Sequence, residues 1–426
     1  MNWLKKVTSD RTGDYYFTGK HSSGLTVTVY PKEKNNSTYA VFGTKYGSID
    51  NCFKIQEESE PQRVPAGIAH YLEHKMFECK DGDAFERFAR TGASANAYTS
   101  FDMTCYLFSC TKKVYESLEI LLDFVQSPYF TEQTVQKEQG IIGQEIKMYD
   151  DDPQWRVLFN LLGALYQNHP VKLDIAGTVN SIAKITPDLL YQCYNTFYNL
   201  NNMVLCIAGN IQPDKVAEIC DKMLKPSKSV QIDRIFEKEP NHIVKARVEQ
   251  KLSVAVPLFE LGFKELNTEK RASTKQIAQT EILLEALSSN ASPLFRRLLD
   301  ADLINEASFG NEYFEGPGYA SVIFSGESKD PERVAQEIKK EIESIRRNGF
   351  DRQIFERAQK AVYGKNIASL NHVSSIANSL VSLAFSGREL FEYFDAVADA
   401  DENSVMARLE DQLRPELSSL SVVLPK

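Results

Sequence analysis

The chain has 426 residues, which at roughly 100–200 residues per domain implies two or three domains. Its 42% hydrophobic and 25% charged content can build a sizeable core, and its formal charge of −9 argues against a nucleic-acid binder, which would present a basic face. No apolar run reaches the ~18 residues of a membrane span, no secretory run follows Lys5 and Lys6, and seven cysteines confined to Cys52–Cys220 do not form a paired disulfide framework, so a cytoplasmic protein with reduced thiols is expected.

In chain order, residues 24–30 alternate with period two and read as a strand, as do 39–46 and 101–110. Residues 65–77 between them have helical character, with Pro65 suited to the first turn. Asp83 is a cap for a short helix ending near Gly92. Helices are expected over 112–126 and over 131–149, the latter capped by Thr131, and residues 202–209 read as a buried strand. Residues 226–240, rich in Lys, Ser, Asp and Glu, read as a linker, which divides the chain into domains 1–228 and 242–426. Beyond it, 253–263 is strand-like, 274–299 helical, 319–325 strand-like, 331–347 helical, and 418–424 a terminal strand. The run from Val204 and the run from Ser321 echo each other as strand, glycine, polar link with proline, then amphipathic helix, which suggests two halves of one architecture.

The chemistry concentrates in His70-Tyr71-Leu72-Glu73-His74. On a helix, positions i, i+3 and i+4 share a face, so both imidazoles and the Glu73 carboxylate point the same way. This is the H-x-x-E-H pattern, in which two histidines one turn apart hold one zinc ion and the carboxylate takes a proton from its water. Catalytic zinc needs three protein ligands and one open position. Glu145 is the best third ligand: it lies two turns after Glu138 on the next long helix, beside Ile141 and Ile142, and a carboxylate on a largely apolar face needs a partner. Glu138 would orient a ligand from behind. His21, His169, His242 and His372 stand alone and read as structural or solvated.

At these residues the sequence resembles the insulinase-like zinc peptidases, the pitrilysin family. Gly67-Ile68-Ala69 and Met76-Phe77 flank the motif as in the family's first helix, and the run from Gly92 to Thr99 with Asp102–Tyr106 is similar to its N-A-x-T segment and following strand. Glu138 and Glu145 match its paired glutamates, the second being the zinc ligand. The resemblance implies an α+β fold of two similar halves, each a mixed, mostly antiparallel sheet with helices mainly on one face, of the clamshell-forming pitrilysin type. It implies one Zn2+ per chain, and an exposed edge strand at Asn96 and Ala97 that pairs with an extended peptide substrate. The activity implied is hydrolysis of short or unfolded peptides, with a non-hydrolytic peptide-binding or assembly subunit as the alternative. Many members also carry an Arg and a Tyr in the second half that bind substrate. Here Leu299 stands at the arginine's place, Arg296 and Arg297 are shifted, and no tyrosine follows at the right distance. A homodimer, or a heterodimer with a related subunit supplying the Arg/Tyr pair, is therefore expected.

Overall fold

The strands read over 24–30, 39–46, 101–110 and 202–209 join one seven-stranded sheet in the computed structural model, which describes residues 3–56, 59–80 and 82–426. Its strands are β1 (Lys5–Thr8), β2 (Tyr15–Lys20), β3 (Thr26–Pro31), β4 (Thr38–Thr44), β5 (Ser94–Thr99), β6 (Thr104–Cys110) and β7 (Met203–Gly209), in the order β1-β2-β3-β7-β4-β6-β5. The all-apolar strand β7 is buried along its whole length, parallel to β3 and antiparallel to β4. Strand β5 lies at the sheet's edge and is partly exposed, as a strand with one free side must be. Helix α1 (Ile68–Met76) carries the histidine motif and helix α2 (Glu132–Asp151) the two glutamates. Between α1 and β5, Asp83 caps the helix Ala84–Thr91 by accepting from the Phe85 N–H at 2.8 Å, and Gly92 ends it at φ 76°.

A second sheet holds β8 (Arg247–Leu252), β9 (Leu258–Lys264), β10 (Gly310–Gly316), β11 (Tyr319–Glu327) and β12 (Ser418–Pro425), in the order β8-β12-β9-β11-β10. The β8–β12 pair is parallel and the rest antiparallel, which repeats the pattern β3-β7-β4-β6-β5. One face of it, with Phe259, Leu261, Phe263, Val322, Phe324 and Val422, packs against helices that include Thr274–Ser288 and Pro331–Asn348. The repeat is thus real, but the echo between the runs from Val204 and Ser321 joins strands in different places. Strand β7 lies next to β3 and β4 and corresponds to β12, whereas β11 corresponds to β6.

Three further expectations change. The helix read over 274–299 is two helices, because Ser292 caps a new one by accepting from the Phe295 N–H at 3.1 Å, with Pro293 at its first position. The linker read over 226–240 is tied down. Ile232–Arg234 pairs with Cys52–Ile55, and the Glu239 carboxylate accepts the backbone N–H groups of Gln167, Asn168 and His169. The compact units also differ from the simple halves 1–228 and 242–426. One comprises Met1–Ile146, Asp174–Ile235 and Ile367–Phe391, the other Lys147–Leu173, Phe236–Asn366 and Glu392–Lys426.

The reason is an exchange of helices. Helix α3 (Pro153–Leu165), from the first half of the sequence, packs on β8, β9 and β12, while helix α4 (Val373–Ser386), from the second half, packs on β4 and β7. Each landing place is marked by a glycine in mid-strand. A Cβ on Gly262 would stand 2.9 Å from Leu161 and Leu165, and one on Gly43 would stand 3.1 Å from Val381.

Candidate functional site

Helix α1 begins at Ile68, three residues after Pro65, so the proline stands ahead of the helix instead of in its first turn. The cap is Gly67, at φ 91°, and a Cβ there would lie 2.4 Å from the Ala176 carbonyl oxygen. Gly177, at φ 74°, answers it: its Cβ would lie 2.4 Å from the Ala66 oxygen. Two left-handed glycines therefore let two backbone segments touch, which seats the start of α1. The helix is buried almost all round, and the Tyr71 hydroxyl donates to the Val135 carbonyl on α2, fixing the two helices face to face.

That docking brings His70, His74 and Glu145 together. One ligand atom from each lies within 4.8 Å of the others, and among the described residues no other His, Cys, Asp and Glu trio does this. His70 Nε2 is 3.7 Å from Glu145 Oε1, and His74 Nε2 is 3.5 Å from Glu145 Oε2. These gaps exceed the ~2.7–3.2 Å of an N–H···O hydrogen bond. Two donor atoms held about 2.0–2.1 Å from one tetrahedral zinc ion would lie roughly 3.3–3.5 Å apart, so the spacing suits such an ion. His74 Nδ1 sits 3.0 Å from Glu138 Oε1, which fixes its proton on Nδ1 and leaves Nε2 facing Glu145.

Glu73 is 8% exposed, and Thr99 Oγ1, at the end of β5, donates to its Oε2 at 2.7 Å. Burial raises the Glu73 carboxyl above the ordinary range, with the Thr99 hydrogen bond opposing. Burial pushes the His70 imidazole down to about 4, and His74 adds to that shift. For His74 burial works the same way, but the Glu138 hydrogen bond and the Glu73 and Glu145 carboxylates outweigh it and raise the ring's affinity for a proton. The His74 hydrogen bond holds the Glu138 carboxyl below its usual range. His70 Nδ1 is buried without a hydrogen-bond partner among the described residues. Three carboxylates thus meet two imidazoles at a partly buried site, a donor set that a divalent cation would complete.

Asn96 and Ala97 lie on the edge strand β5, opposite Leu107 and Tyr106 of β6, and the Asn96 side chain accepts its neighbour's N–H at 2.9 Å. Arg296 and Arg297 are exposed, the latter ion-paired with Glu341. His21 and His169 are buried in hydrogen-bonded turns. Thr99 was not singled out by sequence reasoning. Its only signal is its place at the end of the N-A-x-T run, since contact with Glu73 depends on the packing of β5 against α1.

Residues 59–179 match the sequence profile of insulinase, peptidase family M16, and residues 184–362 match that of the peptidase M16 inactive domain. An uncharacterized zinc protease of Bacillus subtilis, YmfH, is 39% identical over 430 residues, covering 99% of this chain and 100% of that protein. The crystal structure of an M16-like peptidase from Alicyclobacillus acidocaldarius superposes with a TM-score of 0.92 at 34% identity, covering 99% of both chains. Pitrilysin shares the fold, with a TM-score of 0.77 at 16% identity, covering all of this chain and 47% of that one. The motif on α1, the glutamates on α2, the twice-used sheet and a full-length zinc-protease relative lead to one conclusion: the chain belongs to the insulinase family of peptidases, M16.

Proposed function

We propose that the chain is a zinc metallopeptidase that hydrolyses short or unfolded peptides. The observation that carries this reading is the convergence of the His70, His74 and Glu145 ligand atoms on the face of α1 that also presents Glu73. His70, His74 and Glu145 would hold the zinc, which supplies Lewis acidity to the water and to the scissile carbonyl. Glu73, held by Thr99, takes the proton of the attacking water and returns one to the leaving amine. Glu138 keeps the His74 ring turned with Nε2 toward Glu145. The free side of β5 at Asn96 and Ala97 offers backbone groups to an extended substrate, which favours shape over sequence as the basis of selection. The Arg/Tyr pair of many relatives would come from a second subunit, a copy of this chain or a related protein.

The test is zinc content together with cleavage of a fluorogenic peptide. Glu73→Gln is expected to keep one zinc per chain and to lose roughly 10²–10⁴-fold in turnover. A chain that binds zinc and peptide but cleaves nothing, alone or with its partner, would favour the non-hydrolytic peptide-binding reading.

A further inference from the structure

We infer that a groove in the second compact unit, beside Met148, binds a stretch of extended peptide that carries basic and apolar side chains. This rests on the peptidase reading, because it names the class of peptide the enzyme would select. The groove encloses about 730 Å³. Its apolar wall includes Met148, Val256 and Leu258, and its carboxylates are Asp151, Asp152 and Glu327. Met148 is 61% exposed, on the same helix as Glu145 and three residues beyond it. An unbranched, polarisable side chain left in water at a groove's rim suits adaptable apolar contact.

Charge decides the occupant. None of the described lining residues is basic. The nearby cation Arg156 is ion-paired with Asp150 at 4.0 Å. Asp152 spends one oxygen capping α3, accepting from the Gln154 and Trp155 N–H groups, and among the described residues the Glu327 carboxylate meets only the neutral Asn305 amide, at 3.4 Å. Leu258 stands opposite Glu327 in the sheet, so apolar floor and acid lie side by side. An apolar trough ringed by unneutralised acid complements lysine or arginine interspersed with leucine-like residues, and disfavours acidic peptides.

The experiment uses the full chain carrying Glu73→Gln, to hold peptides uncleaved. Two fluorescein-labelled decapeptides are titrated by anisotropy, one alternating lysine and leucine and one alternating glutamate and leucine. The lysine peptide should bind at least fivefold more tightly, and Asp151→Lys with Glu327→Lys should weaken it at least fivefold. Asp152 is left alone because it caps a helix. Smaller effects in either comparison overturn the inference. Should the double variant not fold, a benzophenone-bearing lysine–leucine peptide on the unaltered groove decides: crosslinks at Met148 or residues 254–258 support the site, and crosslinks that avoid them overturn it. If native chain cleaves peptides while the charge reversal changes nothing, the groove falls alone. If the reversal weakens binding but no peptide is cleaved, the hydrolase reading falls and the groove stands.

Discussion

In the proposed site, Glu138 would act through its hydrogen bond to His74. With its carboxylate 3.0 Å from His74 Nδ1, the imidazole is held in one tautomer and one orientation. Glu138→Ala is expected to lower zinc affinity by about 10–100-fold, as loss of such a supporting carboxylate does elsewhere, while Glu138→Gln retains part of the hydrogen bond and loses less. Competition with a chelator of known affinity measures both; equal affinity in all three proteins would remove Glu138 from the site. The residues of this centre were largely legible in the sequence because two of the three proposed ligands and the base sit within five consecutive positions of one helix, where spacing alone fixes direction. Glu145 was legible as the second of two glutamates seven positions apart on the next long helix. Thr99 and the glycine pair Gly67 and Gly177 were not, since each acts through a contact with a distant stretch of chain, to which local periodicity is blind.

At the scale of elements, the end of α3 leads into a buried turn built on His169. This ring is 1% exposed. Its Nδ1 accepts from the Val171 N–H at 3.1 Å and its Nε2 donates to the Pro317 carbonyl at 2.9 Å. Burial pushes its pKa down from 6.5 to about 4. A histidine depressed in the folded state binds fewer protons there than when unfolded. Its contribution to stability is therefore complete above pH 6.5 and is lost as the pH falls toward 4. Thermal unfolding followed from pH 7 to pH 4 should show a shallower loss of Tm in His169→Gln than in the native chain; parallel curves would show that His169 does not titrate with unfolding. The elements read from the sequence are present with shifted ends, but strands β1, β2, β8 and β10 and helices α3 and α4 were not read from it. What periodicity could not show is which sheet a helix joins. Helices α3 and α4 each carry an apolar face, but only the glycines at 43 and 262 reveal where those faces land.

For the whole molecule, the exchange of α3 and α4 means that neither sequence half contains its own complete unit. Residues 1–228 lack Val373–Ser386, and residues 229–426 lack Pro153–Leu165. The two fragments, co-expressed, are expected to purify together, and each alone to aggregate; two separately monodisperse fragments would contradict this. No described helix is long and apolar enough to cross a membrane. The proposed hydrolysis depends most on a zinc ion between α1 and α2. Anomalous diffraction at the zinc edge, from crystals of the full chain, tests it directly. A single strong peak is expected within bonding distance of His70 Nε2, His74 Nε2 and the Glu145 carboxylate. A fully occupied crystal with its zinc bound elsewhere, and these three side chains without metal, would contradict it.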